Sequence, residues 1–401
     1  MLEVKTPREV IEIIEDRLSA GADQTERIRT VTALGRILHR DIISSEDIPG
    51  FNRSTVDGYA VAAADTFGCS ESIPAVLTLA GEVLMGESAE YSLEPGKCVI
   101  VSTGGELPDG ADAAVMVEHT EDYGSGLIGM KKPAAPGNNV IFKGDDVSVG
   151  ENVLTVGTEL TPHDIGILSA LGYSEVEVRR KPVVGVISTG DELVATSSVP
   201  RRGQVRDVNT PMLLTAVTRF GSATKDFGII RDDEEAMVAA LRKAASTCDI
   251  VIISGGSSAG VRDLTARVIE TEGEILFHGI AMKPGKPTIF GLVEGKPIFG
   301  LPGHPVAAYL VTELFVRPLI SKFMGAVVRR HTTKAQISET ISSNHGREEY
   351  IAVRLDTDGI AHPIRGKSGL IASLAGVDGY ICIPRDNEGL KKDAEVTVTY
   401  F

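Results

Sequence analysis

VVGVISTGDEL (183–193) is the stretch that decides the fold, and VIISGGSSAGVRDLT (251–265) shares its pattern further along the chain. In both, a continuous run of β-branched apolar residues precedes Ser, Gly and an acidic residue. Such runs, Val183–Ile187 and Ile250–Ile253, are typical of strands that are covered on both faces of a parallel sheet. Helical patterns separate them, so we predict a doubly wound α/β domain. These patterns cover 211–220, 234–245, 265–270 and 305–323.

The polar residues after the first strand form a candidate site, because ligands bind at the carboxyl ends of parallel strands. Ser188 and Thr189 offer hydroxyls, and Gly190 lets a ligand approach the backbone. Asp191 and Glu192 add two carboxylates, which suit Mg²⁺ shared with the phosphate oxygens of a substrate. A solvated loop would show the same residue types, but the position after a buried strand favours the functional interpretation.

The segment SGGSSAGVRD (254–263) leads from the second strand into a helix. Gly255 and Gly256 lie near the N-terminus of that helix, where backbone N–H groups stabilise an anion. Asp263 has two interpretations. It is either the N-cap of the helix or a partner of a metal or of a donor group on the ligand.

Two lysines in KPGKP (283–287) provide positive charge beside this site. Lys283 and Lys286 flank a Pro-Gly turn and would clamp an anion or neutralise charge in a transition state. Surface lysines without a role are the alternative. LPGHP (301–305) adds Pro302, Gly303 and His304 before the last helix of the domain. Together these residues indicate an anionic, phosphorylated ligand; the P-loop fingerprint GxxxxGK[ST] is absent.

Composition narrows the class of protein. The chain has 401 residues and a formal net charge of −15, which argues against a general nucleic-acid binder. No apolar run approaches the roughly 20 residues that span a bilayer, and MLEVKTPREV lacks a signal-peptide core, so we expect a cytoplasmic protein without a membrane partner. The four cysteines are widely spaced and are expected to be buried thiols.

Changes in sequence style predict four domains. Residues 1–44 and 147–178 would form a discontinuous helical domain. Its first helix, with Thr6 as N-cap, Pro7 as the first helical residue and Glu9 completing a capping box, would pack against the helix in 161–172. A further short helix is expected near 31–38. Residues 45–146 are strand-like and would form an inserted β-rich domain. Residues 179–327 form the α/β domain, and the alternating strands of 328–401 predict a small β-barrel-like domain.

Three polar segments outside the α/β domain are further candidates. FNRSTVDGYAV (51–61) carries Asp57, which is either an Asx-turn residue or a functional carboxylate. VSTGGELPDG (101–110) places Thr103 before a Gly-Gly pair whose N–H groups can face an anion. IRGKSG (364–369) combines two cations with a serine, and it is either an anion-contacting loop or a solvated hairpin.

Eight motifs occur in the order of a known family. They are DGYAV (57–61), TGGELPDGADAAVMVE (103–118), KGDDVSVG (143–150), STGDEL (188–193), IIRDDEEA (229–236), SGGSSAGVRD (254–263), KPGKP (283–287) and GLPGHPVAA (300–308). The chain resembles the molybdopterin molybdenumtransferase (MoeA) family, which includes the C-terminal domain of gephyrin, over nearly its full length. The resemblance implies the four-domain architecture and a homodimer.

The resemblance also implies a reaction and a set of roles. The family inserts molybdate, or by similar chemistry tungstate, into adenylylated molybdopterin and releases AMP in the presence of a divalent metal such as Mg²⁺. An upstream molybdopterin adenylyltransferase would supply that substrate. By this resemblance, the partners of the metal or of the phosphates would be Glu192, Asp232 or Asp233, and Asp263. Lys283 and Lys286 would neutralise the anion, and Arg347 and Ser368 would line the oxyanion pocket. The β-rich part would contribute Asp57, Thr103 and Asp146 across a dimer interface.

Departures from the family pattern leave alternatives open. LPGNPVS is usual where this chain has His304 and Ala307, and Ser257 replaces an apolar residue. A histidine changes charge between pH 5 and 8, so His304 is expected to make oxyanion binding pH-dependent. The alternatives to the transferase are a non-catalytic molybdopterin-binding scaffold, which the lack of a fused N-terminal domain disfavours, and an enzyme acting on another nucleotide-bearing substrate.

Overall fold

The computed structural model describes residues 4–18, 24–90, 92–255, 259–327, 330–364 and 366–401, with only the backbone for 259–263. The α-helices are Pro7–Arg17 (α1), Pro162–Ala170 (α2), Asn209–Arg219 (α3), Glu234–Ala245 (α4), Ala259–Glu272 (α5), Pro305–Val311 (α6) and Arg317–Phe323 (α7). No helix among these residues is long and apolar enough to cross a membrane.

The strands before α3 are Thr25–Arg29 (β1), Ile42–Ile43 (β2), Arg53–Ser54 (β3), Gly58–Val61 (β4), Ala75–Val83 (β5), Lys97–Val101 (β6), Ala113–Met116 (β7), Thr120–Asp122 (β8), Leu127–Met130 (β9), Val140–Ile141 (β10), Asn152–Leu154 (β11), Glu175–Arg179 (β12), Val183–Thr189 (β13), Leu193–Val194 (β14) and Val205–Arg206 (β15). Those after it are Ala223–Ile230 (β16), Ile250–Gly255 (β17), Gly273–His278 (β18), Met282–Lys283 (β19), Ile289–Val293 (β20), Lys296–Leu301 (β21), Thr332–Ile337 (β22), Ile341–Ser342 (β23), Glu348–Leu355 (β24), Ile360–Pro363 (β25), Gly379–Ile383 (β26), Gly389–Leu390 (β27) and Glu395–Tyr400 (β28).

The chain folds into two compact units. The first comprises Met1–Glu26, Gly35–Ile37 and Glu177–Phe401, and the second comprises Arg27–Leu34 and Leu38–Val176. This division places α1 in the first unit and α2 in the second. The finer division into four domains, with its boundaries, stays a prediction.

An α/β sheet organises the first unit, and its strand order is β16-β13-β17-β21-β20-β18. β16, β13, β17 and β21 are parallel, which confirms the predicted α/β architecture. β20 is antiparallel to β21, and β18 at the edge is antiparallel to β20. The β20–β21 hairpin turns through Glu294 and Gly295, both at positive φ (51° and 72°), as a type I′ turn requires.

Helices cover both faces of this sheet, as the continuous apolar runs predict. Ile250 and Ile252 share a core with α1, α3 and the helices after residue 305. Val251 and Ile253, which point the other way, share a core with α4 and α5. β17 is buried along its apolar run, so packing on both faces fixes the position of its carboxyl end.

A closed barrel completes the first unit. β24, β25, β22, β28 and β26 pair in sequence, and a β24–β26 pairing closes the ring. The predicted small barrel is thereby confirmed. β19, which belongs to the segment between β18 and β20, adds to the start of β24 in parallel, with Met282 opposite Glu348 and Lys283 opposite Glu349.

The expected helix 305–323 is interrupted. A π-helical turn, Thr312–Val316, lies between α6 and α7. Pro318 has no N–H for the carbonyl of Leu314, and its ring would clash with that carbonyl in a regular α-helix. The wider turn relieves the clash, and Arg330 Nη2 approaches the Leu314 carbonyl oxygen at 3.5 Å. The turn carries Glu313, a carboxylate with a fully buried side chain.

A six-stranded sheet of order β7-β4-β6-β5-β9-β8 dominates the second unit, as the β-rich pattern predicted. The expected helix at 31–38 is wrong: the segment forms only a 3₁₀ turn, Thr30–Thr32, and Val31 and Leu34 are exposed. Their helical spacing was therefore not a core pattern. Cys69, Cys98 and Cys248 are buried thiols as expected, whereas Cys382 is classed as exposed.

Candidate functional site

The predicted site residues after β13 lie at the carboxyl end of the parallel strands. Ser188 and Thr189 are fully buried. The Ser188 hydroxyl hydrogen-bonds with the Thr210 hydroxyl at 2.7 Å, and Thr189 Oγ1 donates to Asp232 Oδ1 at 2.8 Å. Gly190 has φ +150°, and a Cβ there would lie 2.7 Å from Glu192 Oε2. The turn therefore needs glycine to bring the Glu192 carboxylate back over the strand end.

A network of hydrogen bonds that was not predicted from the sequence joins this loop to its neighbours. Asn209 is only 7% exposed, and its Nδ2 donates to Ser254 Oγ and to the Gly303 carbonyl oxygen, both at 2.9 Å. Its Oδ1 is buried without a partner among the described residues. Asp207 Oδ1 accepts from the N–H groups of Asn209 and Thr210, at 3.1 and 3.0 Å, so it caps α3. The sequence DVNTP was the available signal, since Asp and Asn favour helix starts.

These loops enclose a cavity of about 680 Å³, which we call the carboxylate cavity. Its polar and glycine lining comprises Thr189, Glu192, Gln204, Arg206, Asp207, Asn209, Ser254, Gly255, Gly303, His304 and Gly369. The segments after β13, β17 and β21 therefore meet here, as the parallel topology predicts, and Gly369 joins them from the segment between β25 and β26. The cavity combines carboxylates and amide groups with one arginine, which suits a ligand with both hydrogen-bonding edges and negative charge.

The acidic pair before α4 has divided roles. Asp232 accepts from Thr189, as described. Asp233 is the N-cap of α4, and its Oδ1 accepts from the Ala236 N–H at 2.8 Å. Asp232 therefore faces the strand end, while the carboxylate of Asp233 is engaged by its own helix.

A second cavity, of about 710 Å³, lies between the β19 segment and the barrel, and we call it the lysine cavity. Its polar lining comprises Lys283, His304, Thr340, Ser342, Glu349, Tyr350, Lys367, Ser368 and Ser373. Lys283 Nζ donates to Glu349 Oε1 at 2.6 Å. Burial raises the pKa of Tyr350, whose hydroxyl stays protonated and donates to Glu348 Oε2 at 2.5 Å.

His304 borders both cavities. It stands at the start of α6, and its Nδ1 lies 2.8 Å from Ser368 Oγ. Ser368 also accepts the Val306 N–H through its carbonyl oxygen at 3.1 Å. The GLPGHP loop and the IRGKSG loop, which are candidates from separate parts of the sequence, are therefore joined at the wall between the two cavities.

Other predicted residues of the first unit lie outside these linings. Lys286 is exposed, and its carbonyl oxygen accepts from the Ile280 N–H at 2.9 Å. Pro302 is buried, and Arg347 is half-buried before β24. Gly256 and the side chain of Asp263 lie outside the described residues, and so do Ser257 and Arg365.

The candidates of the second unit form their own group. Asp57 Oδ1 accepts from the Thr103 N–H at 2.7 Å and from Thr103 Oγ1 at 3.1 Å. Gly58 must be glycine, because a Cβ there would lie 2.0 Å from the Val115 carbonyl oxygen. Asn52 links the Thr103 loop to the loop of Asp146: its carbonyl oxygen accepts from Leu107, and its Oδ1 accepts from Lys143. The Asp146 side chain is exposed.

Comparison with known protein families shows which family the chain belongs to. Three family models match the chain in order: the MoeA N-terminal region (domain I and II) at residues 5–172, a probable molybdopterin binding domain at 185–322, and the MoeA C-terminal region (domain IV) at 334–401. The chain belongs to the MoeA family. The resemblance carried by the eight motifs is thereby confirmed.

Relatives with assigned names agree with the MoeA assignment. A molybdopterin molybdenumtransferase of Bacillus subtilis is 32% identical over 99% of this chain and 95% of its own length. One of Haemophilus influenzae is 37% identical over 75% of this chain and 74% of its own. A MoeA crystal structure from Pyrococcus horikoshii is 38% identical, covers 99% of both chains and superposes with a TM-score of 0.89. The chain is a MoeA-type molybdopterin molybdenumtransferase and acts in molybdenum cofactor biosynthesis.

Proposed function

We propose that this MoeA-type enzyme inserts molybdate into adenylylated molybdopterin and releases AMP with the help of Mg²⁺. The observation that carries the proposal is the pair of cavities that share His304. The carboxylate cavity supplies hydrogen-bonding groups for a nucleotide-bearing substrate. The lysine cavity supplies an ammonium group and serine hydroxyls for an oxyanion. The two cavities together would therefore suit one extended ligand and its anionic reaction partner.

The carboxylates at and beside the carboxylate cavity suit Mg²⁺, because Glu192 lines the cavity and Asp232 contacts Thr189, which also lines it. Among the described residues, no three His, Cys, Asp or Glu side chains are placed to hold a metal together. Mg²⁺ does not require such a cage, because it usually takes one or two carboxylates and completes its shell with water and substrate phosphate. Glu192 and Asp232, together with Asp263, would hold it, whereas Asp233 is already engaged as a helix cap. When bound, the ion would neutralise charge on the phosphates.

The residues of the chain would act mainly by positioning and by electrostatics. Lys283 would neutralise the oxyanion, and the Ser368 hydroxyl would donate a hydrogen bond to it. Gly255, which ends β17 and lines the carboxylate cavity, would let the phosphates approach the backbone. Little covalent chemistry falls to the protein in such transfers, so no side chain needs to act as a base.

AMP release tests the proposed reaction directly. The enzyme is incubated with adenylylated molybdopterin and Mg²⁺, with molybdate, with tungstate or with neither. We expect release that depends on an oxyanion, and the comparison shows which oxyanion the enzyme prefers. Tight binding of the substrate without release, under conditions where the Bacillus subtilis relative turns over, would favour a non-catalytic scaffold instead.

Glu192→Gln and Asp263→Asn are expected to lower turnover about 100-fold, because each removes a charged group from the proposed metal site. Glutamine and asparagine keep the side-chain shape, so the circular dichroism spectrum and thermal midpoint should stay unchanged. The turnover is measured across a Mg²⁺ titration, in which both variants should need more Mg²⁺ for half-maximal rate. If both variants keep full activity at every Mg²⁺ concentration, the metal-site assignment is wrong.

A homodimer with shared sites is part of the proposal. Asp57 and Thr103 form a preorganised pair in the second unit, and the family resemblance implies that they serve the site of a partner copy. Mixing inactive Asp57→Asn with inactive Glu192→Gln then creates heterodimers in which one site has both native residues. Recovered activity after mixing supports a shared site; a mixture as inactive as its components, in a sample shown by light scattering to be dimeric, contradicts it.

His304, which borders both cavities, is expected to make molybdate binding pH-dependent. Molybdate affinity is measured at several pH values between 5.5 and 8, for the native enzyme and for His304→Asn, which restores the residue usual in the family. A flat profile for the native enzyme would remove this role of His304.

A further inference from the structure

The carboxylate of Glu349 faces the lysine that is expected to bind the oxyanion. Glu349 is 9% exposed and lines the lysine cavity. Its position opposite Lys283 is fixed by the parallel β19–β24 pairing, and on its other side it pairs with Ile383 of β26. A buried acid in a cavity for an anion is unfavourable for the ligand, so its presence there needs a physical reason.

Both oxygens of this carboxylate are used. Oε1 accepts from Lys283 Nζ at 2.6 Å, and Oε2 accepts from Ser343 Oγ at 2.7 Å. The Ser343 backbone is itself held by its N–H, which donates to the Glu388 carbonyl oxygen at 2.8 Å. The long, flexible Lys283 side chain, which is 46% exposed, is therefore tied to a rigid, almost buried partner. This restricts the ammonium group to the cavity wall before any ligand binds.

The same carboxylate sets the charge of the cavity. Its charged or titratable lining residues are Lys283, His304, Glu349, Tyr350 and Lys367. Glu349 offsets the charge of one lysine, so the cavity lining carries less positive charge than its lysines alone would give. Coulomb interactions grow at short distance and low dielectric, so a carboxylate beside Lys283 weakens the hold on a bound dianion.

We propose that Glu349 is a positioning residue for Lys283, which holds the ammonium group at the cavity wall and balances its charge so that the oxyanion binds reversibly. The identity of that oxyanion as molybdate rests on the proposed function. The placement of the ammonium group does not, since it follows from the contacts of Lys283 and Glu349 alone.

Glu349→Gln separates charge from shape. The amide keeps an oxygen that can accept a hydrogen bond but removes the negative charge. We expect the Kd for molybdate, measured by equilibrium dialysis, and the KM for molybdate to fall together by about fivefold or more, with no rise in kcat. Glu349→Asp keeps the charge and should stay within about twofold of the native Kd. An unchanged or higher Kd in Glu349→Gln overturns the charge-balancing role.

A second readout needs no substrate. Acetylation of Lys283 by acetic anhydride, followed by mass spectrometry, reports how firmly its ammonium group is held. In Glu349→Gln, the rate of Lys283 acetylation, divided by that of Lys334 in the same protein, should be at least three times the native value. An equal ratio in the variant and the native protein would overturn the proposal that Glu349 holds Lys283 in place. Glu395→Gln is the matched control, because it removes the partner of Lys334 in an exposed pair of the same barrel. If native enzyme binds no molybdate while Lys283 is still protected, the proposed function fails and the tether stands.

Discussion

Lys283→Met is expected to lower molybdate-dependent AMP release by about 100- to 1000-fold, the usual effect of losing one preorganised electrostatic group. Methionine has nearly the same length and apolar stem but no charge. The lysine cavity would lose the Lys283 ammonium group and keep the Glu349 carboxylate. The measurement is kcat/KM for molybdate, with saturating adenylylated molybdopterin and Mg²⁺.

The matched control is Lys334→Met, which removes an exposed lysine of the same barrel from its 2.9 Å pair with Glu395. It should leave turnover unchanged, since exposed ion pairs contribute little. Lys283→Met also leaves a buried carboxylate unpaired, so folding is checked by thermal unfolding. The double variant Lys283→Met/Glu349→Gln should restore the thermal midpoint but not the activity. Turnover of Lys283→Met within threefold of native would exclude Lys283 from the reaction.

Arg317→Met is expected to destabilise the first unit by about 3–5 kcal/mol, because it leaves the buried Glu313 carboxylate without its cation. The Glu313 side chain is fully buried, and Arg317 forms its ion pair one turn further along the helix. The second oxygen, Oε2, is buried without a partner among the described residues. Arg317 also stacks on Phe220, with the guanidinium carbon 5.4 Å from the ring centroid, so packing is lost as well.

Pulse proteolysis in urea measures this loss for the first unit even if the two units unfold separately. Glu313→Leu/Arg317→Met should regain most of the stability, since replacing a whole buried pair by apolar residues is often neutral or stabilising. Arg8→Met is the control, because its pair with Glu12 is exposed on α1. Equal urea midpoints for Arg317→Met and native protein would show that water or a neighbouring group already compensates Glu313.

The parts of the fold predicted from sequence are those with local signals. Continuous apolar runs identified β13 and β17, and Thr6 forms the predicted capping box with Glu9. The antiparallel β20–β21 hairpin was not predicted, because its turn consists of only two residues, Glu294 and Gly295. Glutamate is not a residue that signals the positive φ it adopts in this turn. The start of α3 was predicted two residues late, at Pro211, because proline is typical of the first turn of a helix. The helix begins at Asn209, after Asp207.

In the candidate site, too, the contacts with a local sequence signal were predicted and those without one were not. Loop residues after parallel strands were predicted together, and the structure brings Thr189, Glu192, Gly255 and Gly303 to one cavity. The partnership of Lys283 with Glu349 had no local signal, because the two residues are far apart in sequence and meet only through strand pairing. The ionic state and metal partners of such groups stay predictions, since residue type alone does not determine them.

The short β19–β24 ladder has a consequence for how the lysine cavity opens. A barrel joined to the sheet only by a linker could swing away from it as a rigid body and expose the whole cavity. Met282 and Lys283 are hydrogen-bonded into the barrel, so such a hinge movement would have to break the ladder first. The backbone that carries Lys283 therefore moves with the barrel, and its ammonium group stays beside Glu349 on the barrel wall.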